Sequence, residues 1–113
     1  MEIDIRPWGK YEVLLDAPYC KVKRITVLPD KRLSYQMHYK RQEAWTVVQG
    51  TAHVTLDDEI IEVSAGNTIL IPLQAKHRVA NRQQEDLVFV EVQTGTYFGE
   101  DDIVRFEDDF NRV

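Results

Sequence analysis

Apolar and polar residues alternate in short bursts along most of this chain. In segment 19–27, Lys23, Ile25 and Val27 fall on one side of an extended strand, and Cys20, Val22, Arg24 and Thr26 on the other. Segment 33–37 alternates less cleanly, 45–48 is a short apolar run, and 52–56 alternates again. Segments 60–63, 68–71, 77–80 and 87–92 repeat the pattern and are rich in β-branched residues. Turn formers separate them: Pro29-Asp30, Gln49-Gly50, Asp57-Asp58, Ala65-Gly66-Asn67 and Asn81-Arg82. Many short strands at close spacing predict an all-β sandwich or barrel. No window carries a helical period, except that 101–113 could hold a short helix or turn with Ile103, Val104, Phe106 and Phe110 as its apolar side.

Length and charge narrow the options. The chain has 113 residues, so a single domain over 1–113 is expected. A core of this size leaves little margin, and a homodimer would add to it. The formal net charge of −5 argues against a general nucleic-acid partner. Basic residues nevertheless gather in the first 41 positions, and acidic ones in the last 14. Cys20 is the one cysteine, so no intrachain disulfide can form, which suits a reducing compartment. The start, MEIDIRPWG, has no long apolar run, and no stretch reaches the length of a membrane span. A cytoplasmic protein without membrane attachment is expected.

One group of residues has the spacing of a metal site. Gln36 and His38 are two apart, so on a strand both side chains leave the same face. Glu43 follows in the next segment, and His77 comes much later, just after a loop containing Pro72. Imidazole, carboxylate and amide oxygen form a mixed N/O set suited to Zn, Mn, Fe, Co or Ni. Such a set leaves coordination positions free for water or substrate. A second reading stays open on spacing alone, because strand histidines often serve as hydrogen-bonded structural residues. His53, which has no partner at ligand spacing, fits that second reading.

The spacing also resembles the two motifs of the cupin superfamily. The chain runs Asp30, five residues, Gln36-Met37-His38, four residues, Glu43, six residues, Gly50. It then runs Gly66, five residues, Pro72, one residue, Gln74, two residues, His77, three residues, Asn81. Every interval matches, while Asp30 and Gln74 replace glycines and Gln36 replaces a histidine. The segments RPWGKY, LSYQMHYKRQEAW, VVQGTAHVT, IPLQAKHRVAN and VEVQTGTYFGEDDIVRFEDDF resemble, more narrowly, the cupin domain of type II mannose-6-phosphate isomerases. Lys40 and Ala44 depart from that pattern, standing where the family carries further histidines.

The resemblance implies a double-stranded β-helix, or jelly-roll barrel, with a divalent metal on Gln36, His38, Glu43 and His77. It implies interconversion of mannose 6-phosphate and fructose 6-phosphate through an enediol. Arg105 matches an arginine of the family's active site and is expected to neutralise the enediolate or the phosphate, with pairing to its acidic neighbours as the competing role. Lys40 and Arg41 are the expected substrate-binding cations, and Lys23 is a further phosphate candidate. The flanking Lys76 and Arg78 should point away from His77 and reach at most the cavity rim. The alternatives are a non-catalytic sugar or sugar-phosphate binding cupin, or another metal-dependent cupin enzyme acting on a small polar substrate. No glycine-rich nucleotide loop occurs, so the nucleotidyl transfer of the guanylyltransferase domain fused to such cupins elsewhere is not expected of these residues.

Overall fold

A computed structural model describes residues 2–111. Eleven strands are present among them: β1 Glu2–Arg6, β2 Gly9–Asp16, β3 Lys21–Val27, β4 Tyr35–Met37, β5 Arg41–Gln49, β6 Thr51–Leu56, β7 Glu59–Ser64, β8 Thr68–Ile71, β9 His77–Ala80, β10 Leu87–Gly95 and β11 Val104–Glu107. They form two antiparallel sheets, one ordered β1-β2-β3-β10-β5-β8 and the other β11-β4-β9-β6-β7. The chain passes between the sheets repeatedly, as a double-stranded β-helix does. The expected all-β jelly roll is what forms.

Local sequence explains the turns. Asp57 and Asp58 both have positive φ, 46° and 70°, which is the backbone a two-residue type I′ hairpin requires between β6 and β7. Gly9 opens β2 beside Val27 of β3, and a Cβ there would collide with the Thr26 carbonyl oxygen. Alternation then sorts the faces. Lys23, Ile25 and Val27 do share the buried side of β3, as their spacing predicted.

The C-terminal segment is where the sequence expectation fails. Residues 104–107 form strand β11, paired with β4, and neither a helix nor a bare turn. The Val-Arg-Phe-Glu stretch alternates, but four residues are too few to separate a two-residue period from a 3.6-residue one. Residues 112 and 113 of that predicted helix or turn lie outside the described residues.

The inward faces of the central strands change character along their length. On β5 they run Arg41, Glu43, Trp45, Val47, and on β10 they run Gln93, Glu91, Phe89, Leu87. The register aligns Phe89 with Val47 and Ile25, and Glu91 with Trp45 and Lys23. One end of the barrel is therefore packed with Val27, Val47, Val54, Val79, Leu87 and Phe89, all essentially without solvent contact. Burial of a side chain such as Phe89 contributes about 1.5–3 kcal/mol. The other end buries charged groups, which a barrel tolerates only when they are paired or serve a purpose.

Candidate metal centre

Two rows of register partners build this polar end. In the smaller sheet, Arg105 of β11 pairs with Gln36 of β4, and Gln36 pairs with His77 of β9. In the larger sheet, Gln93 of β10 pairs with Glu43 of β5, and Glu91 pairs with both Trp45 and Lys23. Partners in an antiparallel ladder face the same side. Residues far apart in sequence thus meet inside the barrel.

His38, Glu43 and His77 converge. One ligand atom from each lies within 4.8 Å of the others, and all three residues are buried. The tautomers follow from the hydrogen bonds. A carbonyl oxygen can only accept, so His38 Nδ1 donates to Asp102 O at 2.6 Å and His77 Nδ1 donates to Ala75 O at 2.9 Å. Each ring therefore carries its lone pair on Nε2. His77 Nε2 is buried with no hydrogen-bond partner. His38 Nε2 lies 3.4 Å from Glu43 Oε2.

Glu43 is fixed from both sides. Trp45 Nε1 donates to its Oε1 at 2.8 Å, and Arg41 Nε donates to its Oε2 at 2.9 Å. Burial, aided by the charge of Arg41, drives the His38 pKa down to about 4, and burial likewise lowers that of His77. Both rings are neutral near pH 7, the form that binds a metal. Two neutral imidazole Nε2 atoms, one of them orphaned, and a carboxylate held by its neighbours fit a divalent N/O-ligated cation. Gln36 borders the same space, and its Oε1 accepts from Ser34 Oγ at 2.9 Å. An amide oxygen has a second lone pair, so it could complete the set.

Beside this cluster opens a cavity of about 150 Å³. Gln36 and His38 border it, together with the cations Arg6, Lys23, Arg41 and Arg105 and the carboxylates Glu91 and Glu100. Burial and the nearby Glu43 charge push the Glu91 pKa up to about 8. Its Oε1 accepts from Trp45 Nε1 at 3.1 Å and its Oε2 from Gln93 Nε2 at 2.7 Å. Glu100 pairs with Lys23 and reaches within 4.0 Å of Lys21. Trp8 packs in the core cluster and also lines the opening.

The expected substrate cations separate here. Arg41 is buried in the cavity wall. Lys40 is not among the lining residues: it is exposed, and its Nζ sits 5.2 Å above the Tyr97 ring. It lies in the turn between β4 and β5, where strand alternation no longer sets direction. Lys76 stacks on Phe106 at 4.7 Å, while Arg78 donates to Leu33 O at 2.9 Å, and neither borders the cavity. Arg6, Tyr11 and Glu100 line the cavity without having been singled out for a site role by spacing. For Glu91 a signal existed, since it alternates with Phe89 and Gln93 on the inward side.

Known proteins carry the same arrangement of sequence. The family model described as mannose-6-phosphate isomerase C-terminal matches residues 2–108. This chain belongs to that family. The xanthan biosynthesis protein XanB of Xanthomonas campestris is 49% identical over 108 residues, covering 96% of this chain and 23% of XanB. The mannose-1-phosphate guanylyltransferase ManC of Salmonella typhimurium is 47% identical, covering 96% of this chain and 22% of ManC. The chain thus spans less than a quarter of the length of these curated relatives. Among solved structures, a Klebsiella pneumoniae protein with a double-stranded β-helix domain superposes with a TM-score of 0.74 at 22% identity, covering 85% of this chain and 77% of that one. At that identity the likeness concerns the fold. No helix among the described residues is long and apolar enough to cross a membrane.

Proposed function

We propose that this member of the mannose-6-phosphate isomerase C-terminal family holds a divalent cation on His38, Glu43 and His77, with Gln36 as a fourth ligand, and interconverts mannose 6-phosphate and fructose 6-phosphate. The observation that carries this reading is the convergence of ligand atoms from three buried residues within 4.8 Å, one of which, His38, borders a cation-lined cavity. A cation there would polarise the sugar carbonyl and favour the oxyanion that develops during enolisation.

The chain's own residues supply the rest. Aldose–ketose exchange moves a proton between C1 and C2, so a group in the cavity must take it and return it. We assign that proton to Glu91, whose carboxylate borders the cavity and whose burial favours its taking up a proton. Trp45 and Gln93 hold the two Glu91 oxygens in place. Arg105, next to Gln36 in the ladder, is positioned to balance the negative charge of the enediolate. Lys23 and Arg41 offer charge to the phosphate.

Metal analysis of purified wild type, His38→Ala and His77→Ala tests the site, and a coupled assay for fructose 6-phosphate tests the reaction. About one equivalent of metal, lost in both variants, together with turnover of mannose 6-phosphate, is the expected result. Metal at full occupancy without turnover would instead indicate a sugar-phosphate binding domain.

A further inference from the structure

The His38 ring has one lone pair to give. Its Nδ1–H is committed to Asp102 O, so only Nε2 can accept a hydrogen bond or ligate a cation. Arg41 Nη2 lies 3.2 Å from that Nε2 and donates into it. Arg41 Nε holds Glu43 Oε2 at 2.9 Å, while Arg41 Nη1 is buried without any hydrogen-bond partner. The guanidinium thus sits against two of the three candidate ligands with one nitrogen idle.

A single in-plane lone pair cannot serve both a guanidinium N–H and a metal. We infer that Arg41 is a latent anion site, set free when a cation takes His38 Nε2, and that it then presents Nη1 and Nη2 together to a phosphate group. This inference rests on the metal-centre reading above. Charge works in the same direction, because a divalent cation on Glu43 and His38 repels the guanidinium beside it. The cavity gives it somewhere to turn, and Lys23 and Arg105 line the same space. Two N–H groups on one planar guanidinium match two phosphate oxygens. The consequence is linkage: the metal tightens phosphate binding through Arg41, and phosphate tightens the metal by the same factor.

The test is a calorimetric titration of inorganic phosphate into the full chain, metal-free and Co²⁺-loaded, for wild type, Arg41→Gln and Arg41→Lys. In wild type, Co²⁺ should tighten phosphate by on the order of tenfold or more. In both variants the tightening should fall to about threefold or less, the part due to the cation alone. Arg41→Gln removes the donor to Glu43 Oε2 together with the donor to His38 Nε2, so the tightening factor, and not the Co²⁺ affinity itself, is the quantity compared across the proteins. Arg41→Lys keeps the charge but not the two-pronged donor, so a loss there separates hydrogen-bond geometry from simple electrostatics, and it also serves if Arg41→Gln does not fold. An equal tightening factor in wild type and both variants, with Co²⁺ bound in each, would overturn the inference and leave the metal centre intact. Co²⁺ binding that survives His77→Ala would overturn the metal-centre reading, and this inference with it. Mannose in place of phosphate should show no Arg41-dependent coupling, which confines the effect to the anion.

Discussion

Trp45 Nε1 donates a 2.8 Å hydrogen bond to Glu43 Oε1, two residues back on the same face of β5. The same N–H is shared with Glu91 Oε1 at 3.1 Å. One indole therefore orients a candidate ligand and the candidate acid–base group at once. Trp45→Phe keeps the ring against Phe89, 5.0 Å away, but removes the donor. Metal affinity, measured by competition with a chromophoric chelator, should drop about 10–100-fold while the fold survives. Unchanged affinity would show that Glu43 needs no such support.

Glu91 is the group assigned the proton. Glu91→Gln keeps the shape and the hydrogen bond from Trp45 but cannot accept a proton. Turnover should fall about 10²–10⁴-fold with metal content unchanged. A variant that retains full activity would move the proton to another group.

Much of this site could be read from the sequence, and the failures have physical causes. Gln36, His38, Glu43 and His77 stood out because a two-residue period and motif intervals survive any detail of the fold. Two motif glycines are replaced, yet Asp30 and Gln74 occupy left-handed backbone with φ of 60° and 61°, so the intervals were set by conformation as much as by residue type. Lys40 misled because it sits in a turn, where neighbouring side chains have no fixed direction. Spacing puts Lys23 on one face with Ile25 and Val27, and the register opposite Glu91 brings that face to the cavity. The pairing of Glu100 with Lys23 joins positions 77 apart in sequence, a relation that no local pattern encodes.

Those left-handed positions make a stability prediction. A non-glycine residue in this region costs about 1–2 kcal/mol, and glycine returns about 0.4–1 kcal/mol through unfolded-state entropy. Gln74 donates its backbone N–H to His38 O at 2.9 Å, a bond that glycine would keep. Gln74→Gly should therefore stabilise by about 0.5–1 kcal/mol, read as a higher urea midpoint with an unchanged slope.

Asn81, the last residue of the second motif, is structural. Its Nδ2 donates to Val27 O at 2.9 Å and Glu85 O at 2.7 Å, and its Oδ1 accepts from Gln83 N at 2.9 Å. Asn81→Ala leaves these buried backbone groups unpaired and should cost about 2–4 kcal/mol in urea denaturation. A loss below about 0.5 kcal/mol would contradict that role.

Glu100 gives a pH signature. Burial alone would raise its carboxyl, but Lys23 first, then Arg41 and Lys21, outweigh burial and hold it below the usual carboxylate range. A depressed folded-state value contributes stability above the unfolded value of about 4.3, and that stability is lost as pH falls through the lower folded value. Glu100→Gln should therefore show a shallower decline in urea midpoint below about pH 4.5 than wild type. Parallel declines would mean that the pair with Lys23 adds nothing to folding.

Solvent exchange at the sugar separates an isomerase from a domain that only binds sugar phosphate. Metal-loaded protein is incubated with mannose 6-phosphate in D₂O and followed by NMR, with His77→Ala as control. Fructose 6-phosphate should form together with deuterium at C2 of the remaining mannose 6-phosphate, and neither should appear in the control. Metal bound through His38, Glu43 and His77 with no conversion and no exchange would contradict the isomerase reading.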